Sequence, residues 1–361
     1  MKEAVWLSGV VDSYEAAAAV LRRIGKVDIS TSSVWRRVQK WGSVLHAVES
    51  ERASKATALP QRNEAVVPVQ APGKRLGAAM DGAMVHIRRE GWKELKAGCV
   101  FAIEPQIVID KHTREAREQG HATHLSYVAH LGGPNELGQR LWAEAQQRGW
   151  EQAADTQVIG DGAAWIWQLS EEFFAPRQQT VDWYHATEHL HAAAQLLHPQ
   201  QTPAATRWYN QAETRLFQGH AEKIACQLSK LATRFPAQAE GLLAQATYFH
   251  NNKRRMNYLE LREEGYLLGS GMIESGAKQF KARFSGPGMR WSRPGITHLI
   301  PIRAAVLSDT FDHLWPAIFS FSKNSAATKA NAFAGASISI QSFTLRICLT
   351  APPLVRRAMM L

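Results

Sequence analysis

Hydrophobic positions recur at helical spacing through the first fifty residues, and this pattern predicts two helices separated by a glycine turn. The first helix ends at Gly25, and the second begins in the serine-rich stretch 30–33, whose hydroxyl groups are suitable N-caps. This layout is typical of a helix-turn-helix DNA-binding region over residues 1–50, although a helical hairpin with a solvated basic face gives the same pattern. The candidate DNA-binding residues of the second helix are Arg36, Arg37 and Lys40.

A strand pattern begins near residue 76. Residues 76–88 and 93–104 alternate as two strands joined through a turn at Gly91, and 124–132 is a candidate third strand. Between residues 156 and 197, strand patterns alternate with helix patterns. Three successive strands followed by alternating helices and strands predict an α/β domain with a mixed sheet.

The remaining segments carry no strand pattern. Residues 51–76 lack a sustained period and contain three prolines, so we predict a linker. Residues 191–265 are helical and rich in Ala, Gln and Leu, and 266–315 contain a glycine loop, a helix and a Gly-Pro-Gly stop. Residues 316–361 form an atypical Ser/Ala/Thr-rich tail, which we interpret as a disordered or frameshifted end.

The charge of the chain changes what these segments are expected to do. The net charge is +10, which favours a polyanionic partner, with nucleic acid ahead of a membrane surface. The three cysteines lie far apart and form no C-x-x-C pair, as expected for a reducing cytoplasm. No apolar run is long enough to span a bilayer, so we predict a soluble intracellular protein with no membrane partner.

One short motif indicates a different chemistry. His185, Glu188 and His189 match the H-x-x-E-H pattern of inverted zinc metallopeptidases. On a helix these residues share one face, so two imidazoles would bind a metal while the carboxylate activates water. The motif needs a further ligand, such as a glutamate of 260–264, and it does not account for the basic charge. A zinc peptidase is therefore a minor alternative.

Three acids stand where a strand ends or a helix begins, and each has a glycine nearby: Asp81, Asp161 and Glu274. Strand and helix ends in α/β domains converge on a shared edge where ligands bind. Each acid also has a purely structural interpretation, because Asp-Gly is a common turn dipeptide and an acid in the first turn of a helix favours the helix dipole.

Carboxylates that meet within a few ångströms repel one another unless cations neutralise them, and hard oxygen ligands suit Mg²⁺ or Mn²⁺. Two such ions about 3.5–4 Å apart activate an attacking hydroxyl and stabilise the leaving oxygen of an in-line displacement. The three acids therefore predict phosphodiester chemistry with two Mg²⁺ or Mn²⁺ ions as cofactors.

Basic residues follow the third acid. Glu274, Lys278 and Lys281 are spaced to lie along one helix face, which places cations beside a metal-binding carboxylate. A basic segment with an interleaved aromatic ring then neutralises phosphates and stacks on a base, although a solvated basic helix has a similar sequence. The DNA-binding candidates here are Lys278, Lys281, Arg283, Arg290 and Trp291.

The blocks that hold these residues resemble the DDE transposases of bacterial insertion sequences, and in particular the ISKra group. They are DGAMVHIRREGWKELKAGCVF, VIGDGAAWIWQLSEEFF, DWYHATEHL and GSGMIESGAKQFKARFSGPGMRW, with IRAAVLS behind them, and they cover roughly residues 77 to 315. The resemblance implies a ribonuclease-H-like catalytic domain with an all-helical insertion. Its first part spans 77–190, its insertion 191–265 and its last part 266–315.

By motif match, the resemblance makes Asp81, Asp161 and Glu274 the catalytic residues and metal ligands. It also places Asp182 and His185 in a (C/D)-x-x-H signature, as in Mutator and hAT transposases, and we expect this pair to support the site without binding metal. In "HLIPIRAAVLS" the family has a regular helix, whereas Pro301 predicts a kink or a new helix start.

The implied activity is cutting and joining of DNA at element ends, by two-metal-ion hydrolysis and then 3′-hydroxyl strand transfer. The implied partners are terminal inverted repeats and target DNA, bound by a homodimer or a larger assembly at the bacterial nucleoid. A catalytically inactive remnant that only binds DNA is the main alternative. Another ribonuclease-H-like nuclease, such as a Holliday-junction resolvase, is a minor one.

Overall fold

The computed structural model describes residues 2–58, 73–109, 116–198, 202–316 and 318. The chain divides into two compact units, Met1–Phe311 and Asp312–Leu361, and all the elements described below belong to the first. The described residues of the second unit, 312–316 and 318, are helical. The predicted tail lies outside the described residues, apart from Pro316 and Ile318.

Five strands form one mixed sheet in the spatial order β3-β2-β1-β4-β5. The pairs β1–β2 and β2–β3 are antiparallel, whereas β4 runs parallel to both of its neighbours, β1 and β5. This arrangement confirms the predicted α/β class with a mixed sheet. The strands are β1 (Arg75–Ile87), β2 (Gly91–Ile109), β3 (Ala116–Leu131), β4 (Asp155–Gly160) and β5 (Gln178–Val181).

Helices precede the sheet, cover both of its faces and follow its last strand. Before the sheet lie α1 (Lys2–Val10), α2 (Tyr14–Arg23) and α3 (Thr31–Thr57). Between and after the strands lie α4 (Pro134–Gln147), α5 (Ala164–Leu169), α6 (Trp183–Leu197), α7 (Pro203–Phe217), α8 (Ala221–Arg234), α9 (Ala239–Asn252), α10 (Tyr258–Glu263), α11 (Gly271–Phe284) and α12 (Arg293–Leu307).

Serine side chains start three of these helices, because a hydroxyl accepts one of the backbone N–H groups left unpaired at a helix start. Ser13 accepts from Ala16 at the start of α2, and Ser30 accepts from Ser33 at the start of α3. Ser292 caps α12 in the same way. Helix α12 runs through Pro301 to Leu307, so the proline does not start a new helix.

Helix α3 is longer than the sequence predicts. It continues through Gly42 to Thr57, so residues 51–57 of the predicted linker are helical, and residues 75 and 76 belong to β1. Gly42 is needed for packing, because a Cβ there would clash with the backbone carbonyl oxygen of His298 in α12. Residues 59–72 of the predicted linker lie outside the described residues.

The two faces of the sheet are covered by different helices. On one face, Leu76, Ala78 and Met80 of β1 belong to the main hydrophobic core, which also includes residues of α4 and α5 and continues into α6–α9. On the other face, α11 lies against β1 and α12 against β3. The all-helical part runs from α6 to α10, so it begins at Trp183, eight residues before the predicted start at 191.

Helix α1 is held against α11 and α12 by two buried arginines, one from each of these helices. Arg283 donates through Nε to the carbonyl oxygen of Ser8 at 2.9 Å, and Arg303 donates through Nη1 to that of Gly9 at 2.7 Å. Both carbonyls lie in the last turn of α1, where unpaired oxygens and the helix dipole favour a cation. The N-terminal helices therefore pack onto the same structural unit as the sheet.

Candidate catalytic site

Asp81 and Asp161 lie near each other on neighbouring parts of the sheet: Asp81 is in the middle of β1, not at a strand end as predicted, and Asp161 directly follows β4. Strand β1 pairs with β4 so that Ala79 is opposite Ile159. Asp81 is two residues further along β1 and faces the same side of the sheet as Ala79, while Asp161 is two residues beyond Ile159, just after β4. The strand register therefore brings the two predicted acids together, on the face covered by α11.

The surroundings of Asp81 shift the pKa of its carboxyl group. Burial raises the pKa of its carboxyl above the usual value, and the negative charge of Asp161 raises it further. The Gly82 N–H, which donates to the carboxylate at 2.6 Å, lowers the pKa, as do the charges of Lys281 and His185. Asp81 is thus the centre of a cluster that contains a second carboxylate and two basic side chains.

The turn that carries Asp161 is fixed from outside the sheet. Asp161 accepts the Ala163 N–H at 2.8 Å, and Gly162 has a φ of 104°, which only glycine adopts readily. Tyr248 of α9 donates its hydroxyl to the carbonyl oxygen of Asp161 at 2.9 Å. A Cβ at Gly162 would lie 2.8 Å from the Tyr248 ring. The helical insertion therefore positions this acid.

No sequence pattern identifies Tyr248 as a residue of the site. The residue lies 87 positions from Asp161, in a segment whose only pattern is helical. Burial is the main cause of the strong rise in the pKa of its phenol, and the charge of Asp161 adds to it. The Tyr248 hydroxyl therefore stays protonated at neutral pH and donates to the Asp161 carbonyl oxygen.

Glu274 lies in the first turns of α11, and the start of this helix is tied to the sheet. The Ser270 N–H, immediately before this helix, donates to the carboxylate of Asp182, whose own N–H donates to Gly160 at 2.7 Å. Glu274 follows one turn into α11, and the Lys278 ammonium lies 3.9 Å from its carboxylate. The third acid and the end of β4 are therefore connected through Asp182.

Asp182 is fully buried and joins three elements. It follows β5, caps α6 by accepting the His185 N–H at 2.9 Å, and accepts the Ser270 N–H at the start of α11. The His185 imidazole lies 3.4 Å from the Glu188 carboxylate. Its charge also lowers the pKa of the Asp81 carboxyl. The Asp182–His185 pair thus holds the backbone around the acids.

The second histidine of the zinc motif faces the insertion. His189 Nδ1 lies 2.6 Å from Gln245 Oε1, and its ring stacks on Tyr248 with the two centroids 3.5 Å apart. His185 instead pairs with Glu188. The two imidazoles therefore contact different groups, and His189 helps to attach α9 to α6.

Within the described ranges, no three His, Cys, Asp or Glu side chains are close enough together to hold a metal ion. The carboxylates of Asp81 and Asp161 are the pair whose charges interact directly. Their oxygens are hard ligands, and a divalent cation would offset both the burial that chiefly raises the pKa of Asp81 and the smaller repulsion from Asp161. The paired carboxylates are therefore donors of the kind that suits Mg²⁺ or Mn²⁺, whereas Glu274, the third predicted ligand, forms no group with them in the described part of the chain.

The predicted DNA-binding residues have very different exposures. The Lys278 side chain is 78% exposed. Lys281 is also exposed, and its charge lowers the pKa of Asp81. Arg290, Arg36 and Lys40 are also exposed, whereas Arg37 is half-buried. Of these exposed cations, Lys281 is the one whose charge acts on Asp81.

Arg283 and Trp291 are placed differently from the prediction. Arg283 is 2% exposed and anchors α1, so it does not belong to the exposed basic surface. Trp291 is half-buried, and its indole N–H donates to the Phe284 carbonyl at 2.8 Å. Its backbone bonds both to His86 and to Arg88, which joins the segment before α12 to the end of β1. Both residues therefore have structural contacts.

No family model matches this chain, and the search among curated proteins found no match. In the described part of the chain, no helix is long and apolar enough to cross a membrane.

Proposed function

We propose that this protein is a metal-dependent DNA transposase of the DDE type, which cuts and joins DNA at the ends of an insertion sequence. The observation that carries the proposal is the pair of carboxylates, Asp81 and Asp161, that the β1–β4 register brings together beside Lys281. Like charges held at a strand edge favour a divalent cation, and cations beside them favour a phosphate substrate.

The sheet supports the finer part of the proposal. Three antiparallel strands followed by two parallel ones, in the order β3-β2-β1-β4-β5, are compatible with a ribonuclease-H-like fold. An all-helical segment interrupts the chain between β5 and α11, which carries Glu274. The sequence blocks that resemble ISKra transposases contain the same three acids in the same order.

Bound divalent cations would activate the attacking oxygen and stabilise the leaving one. Asp81, Asp161 and Glu274 would hold these ions, and Asp182 and Tyr248 keep the supporting backbone in place. Lys281 and Lys278 lie on the same helix face as Glu274 and contact the phosphates that flank the cut bond. The bound DNA strand is therefore positioned along α11.

The second candidate function is DNA binding without catalysis. It is favoured by the separation of Glu274 from the paired carboxylates, since no three-acid group forms among the described residues. Both functions require exposed cations near the acids, so DNA binding alone does not distinguish them. Dependence of DNA cleavage on Asp81 and Asp161 does.

The test is nicking of a supercoiled plasmid that carries the coding region with its flanking DNA, by the purified full chain. We expect nicking with Mg²⁺ or Mn²⁺, and a loss of at least about 100-fold with Asp81→Asn or Asp161→Asn, because each substitution removes a metal-binding charge. Binding to the same DNA should persist. Glu222→Gln, a change on α8 in the insertion, is the matched control and should nick normally.

No nicking by the wild-type protein with either metal, together with retained DNA binding, would leave the non-catalytic candidate. Nicking that survives both Asp81→Asn and Asp161→Asn would show that another site is responsible. Peptidase activity that is lost with His189→Ala but unaffected by Asp161→Asn would contradict both candidates.

A further inference from the structure

A groove of about 490 Å³ lies between the start of α2, the start of α3, the β1–β2 turn and the segment that precedes α12. Arg88 in this groove is seven residues beyond Asp81, roughly 23 Å away along β1 at about 3.3 Å per residue. The groove is therefore separate from the paired carboxylates. Its principal lining residues are Tyr14, Trp35, Arg88, Arg283, Arg290 and Trp291.

Two of the lining side chains have an unused polar atom. Arg283 is 2% exposed, and its Nη2 has no hydrogen-bond partner among the described residues. The buried hydroxyl of Tyr14 likewise has no partner among them. Burial raises the pKa of Tyr14 to about 12, so this hydroxyl stays protonated. Buried donors without a partner are costly, and a ligand that accepts from them would remove that cost.

The groove also combines aromatic rings with cations. Trp35 is 45% exposed at its rim, while the Trp291 ring meets Tyr14 edge-on with the centroids 6.5 Å apart. Arg88 and Arg290 are exposed and adjacent, because Arg88 Nε donates to the Arg290 carbonyl at 3.0 Å. Aromatic faces beside arginines are the combination that binds single-stranded nucleic acid, by base stacking and phosphate contact.

An acid in the lining argues against a bare phosphate as the ligand. Asp12 lines the same groove, and its charge acts on Arg283. A carboxylate repels a free anion but accepts a hydrogen bond from an N–H group of an unpaired base, such as the ring N3–H of thymine. A base with a phosphate attached therefore fits the whole lining better than a phosphate alone.

We propose that this groove binds one unpaired nucleotide of a DNA strand, with its base against Trp35 and its phosphate at Arg88 and Arg290. This inference rests on the proposed function only in taking DNA as the ligand. A strand that reached from the groove to Asp81 would span roughly seven nucleotides at about 3.4 Å each. The groove would then bind the same DNA strand that the acids cut.

The test uses fluorescence anisotropy of the full chain with two labelled 15-mers of equal charge, oligo-dT and an abasic strand of the same length. We expect the wild-type protein to bind oligo-dT about tenfold more tightly than the abasic strand, because stacking depends on the base. Trp35→Ala should remove this preference, since it deletes the exposed ring. Arg290→Ala should weaken binding to both strands and reduce its salt dependence.

Phe235→Ala is the matched control, because it removes a similarly exposed ring from a distant helix junction. Circular dichroism confirms that the variants are folded. Equal binding of the two strands by the wild-type protein, or an unchanged preference with Trp35→Ala, would overturn the inference. Plasmid nicking without a base preference would contradict the groove alone, whereas a base preference without nicking would contradict only the proposed catalysis.

Discussion

Asp81 and Asp182, which lie near the ends of β4 and β5, differ in the groups that stabilise their carboxylates. Asp182 after β5 is fully buried and accepts backbone N–H groups from His185 and Ser270. Asp81, beside the end of β4, faces the charge of Asp161 and has a raised pKa. Backbone N–H groups bond to both oxygens of the first carboxylate, whereas the second accepts one backbone N–H, from Gly82, and still faces a like charge that a cation would neutralise. The comparison separates an acid that maintains the fold from acids available for chemistry.

The largest expected effect concerns Asp182. Asp182→Ala should lower the free energy of unfolding by about 3 kcal/mol, because it removes the cap of α6 and leaves the Ser270 N–H buried without an acceptor. Thermal unfolding measures this change. Asp182→Asn should cost less, since the amide oxygen still accepts one bond, and the exposed Glu188→Gln is the control. An Asp182→Ala variant as stable as the wild type would show that this link is not structural.

A smaller effect of opposite sign is expected at Asp81. Its folded-state pKa is raised, mainly by burial, so ionisation of the carboxyl destabilises the fold as pH rises through its unfolded and then its folded pKa. Asp81→Asn should therefore raise the melting temperature at pH 7 and leave it unchanged near pH 3, where the wild-type carboxyl is protonated in both states. Thermal scans without divalent cations at the two pH values test this. A lower melting temperature at pH 7 would mean that the charge of Asp81 is already satisfied.

Strands β1 and β2 show how much of the sheet the sequence predicts. The alternation over 76–88 and the turn at Gly91 are local signals, so β1 and β2 were predicted and are confirmed. Strand β2 extends past residue 104 to Ile109 because it pairs there with the start of β3, although those positions are exposed and carry no alternation. The end of β2 is therefore fixed by its pairing with β3, which the local sequence pattern does not reveal.

In the candidate site, too, local sequence signals identify some residues, whereas long-range contacts determine the positions of others. Glycines beside Asp81 and Asp161 identified both acids, but only the register of β1 with β4 shows that they meet. Arg283 was expected on a basic surface, because charged residues are usually exposed. Its partner is the end of a helix about 275 residues earlier in the chain, which no local pattern reveals. Tyr248 was missed for the same reason.

The comparison also predicts where a metal binds. If the paired carboxylates are the acids available for chemistry, a divalent cation should bind to them and not to Asp182, whose oxygens already accept backbone N–H groups. This claim concerns the site directly and needs no cognate DNA. It is therefore independent of the sequence at the ends of the element.

The most direct measurement is a Mn²⁺ titration of the full chain by calorimetry, without DNA. We expect binding by the wild-type protein, a loss of at least about tenfold in affinity with Asp81→Asn or Asp161→Asn, and unchanged binding with Glu222→Gln. Mn²⁺ binding of wild-type strength in both Asp81→Asn and Asp161→Asn would contradict the assignment of these carboxylates as the metal site.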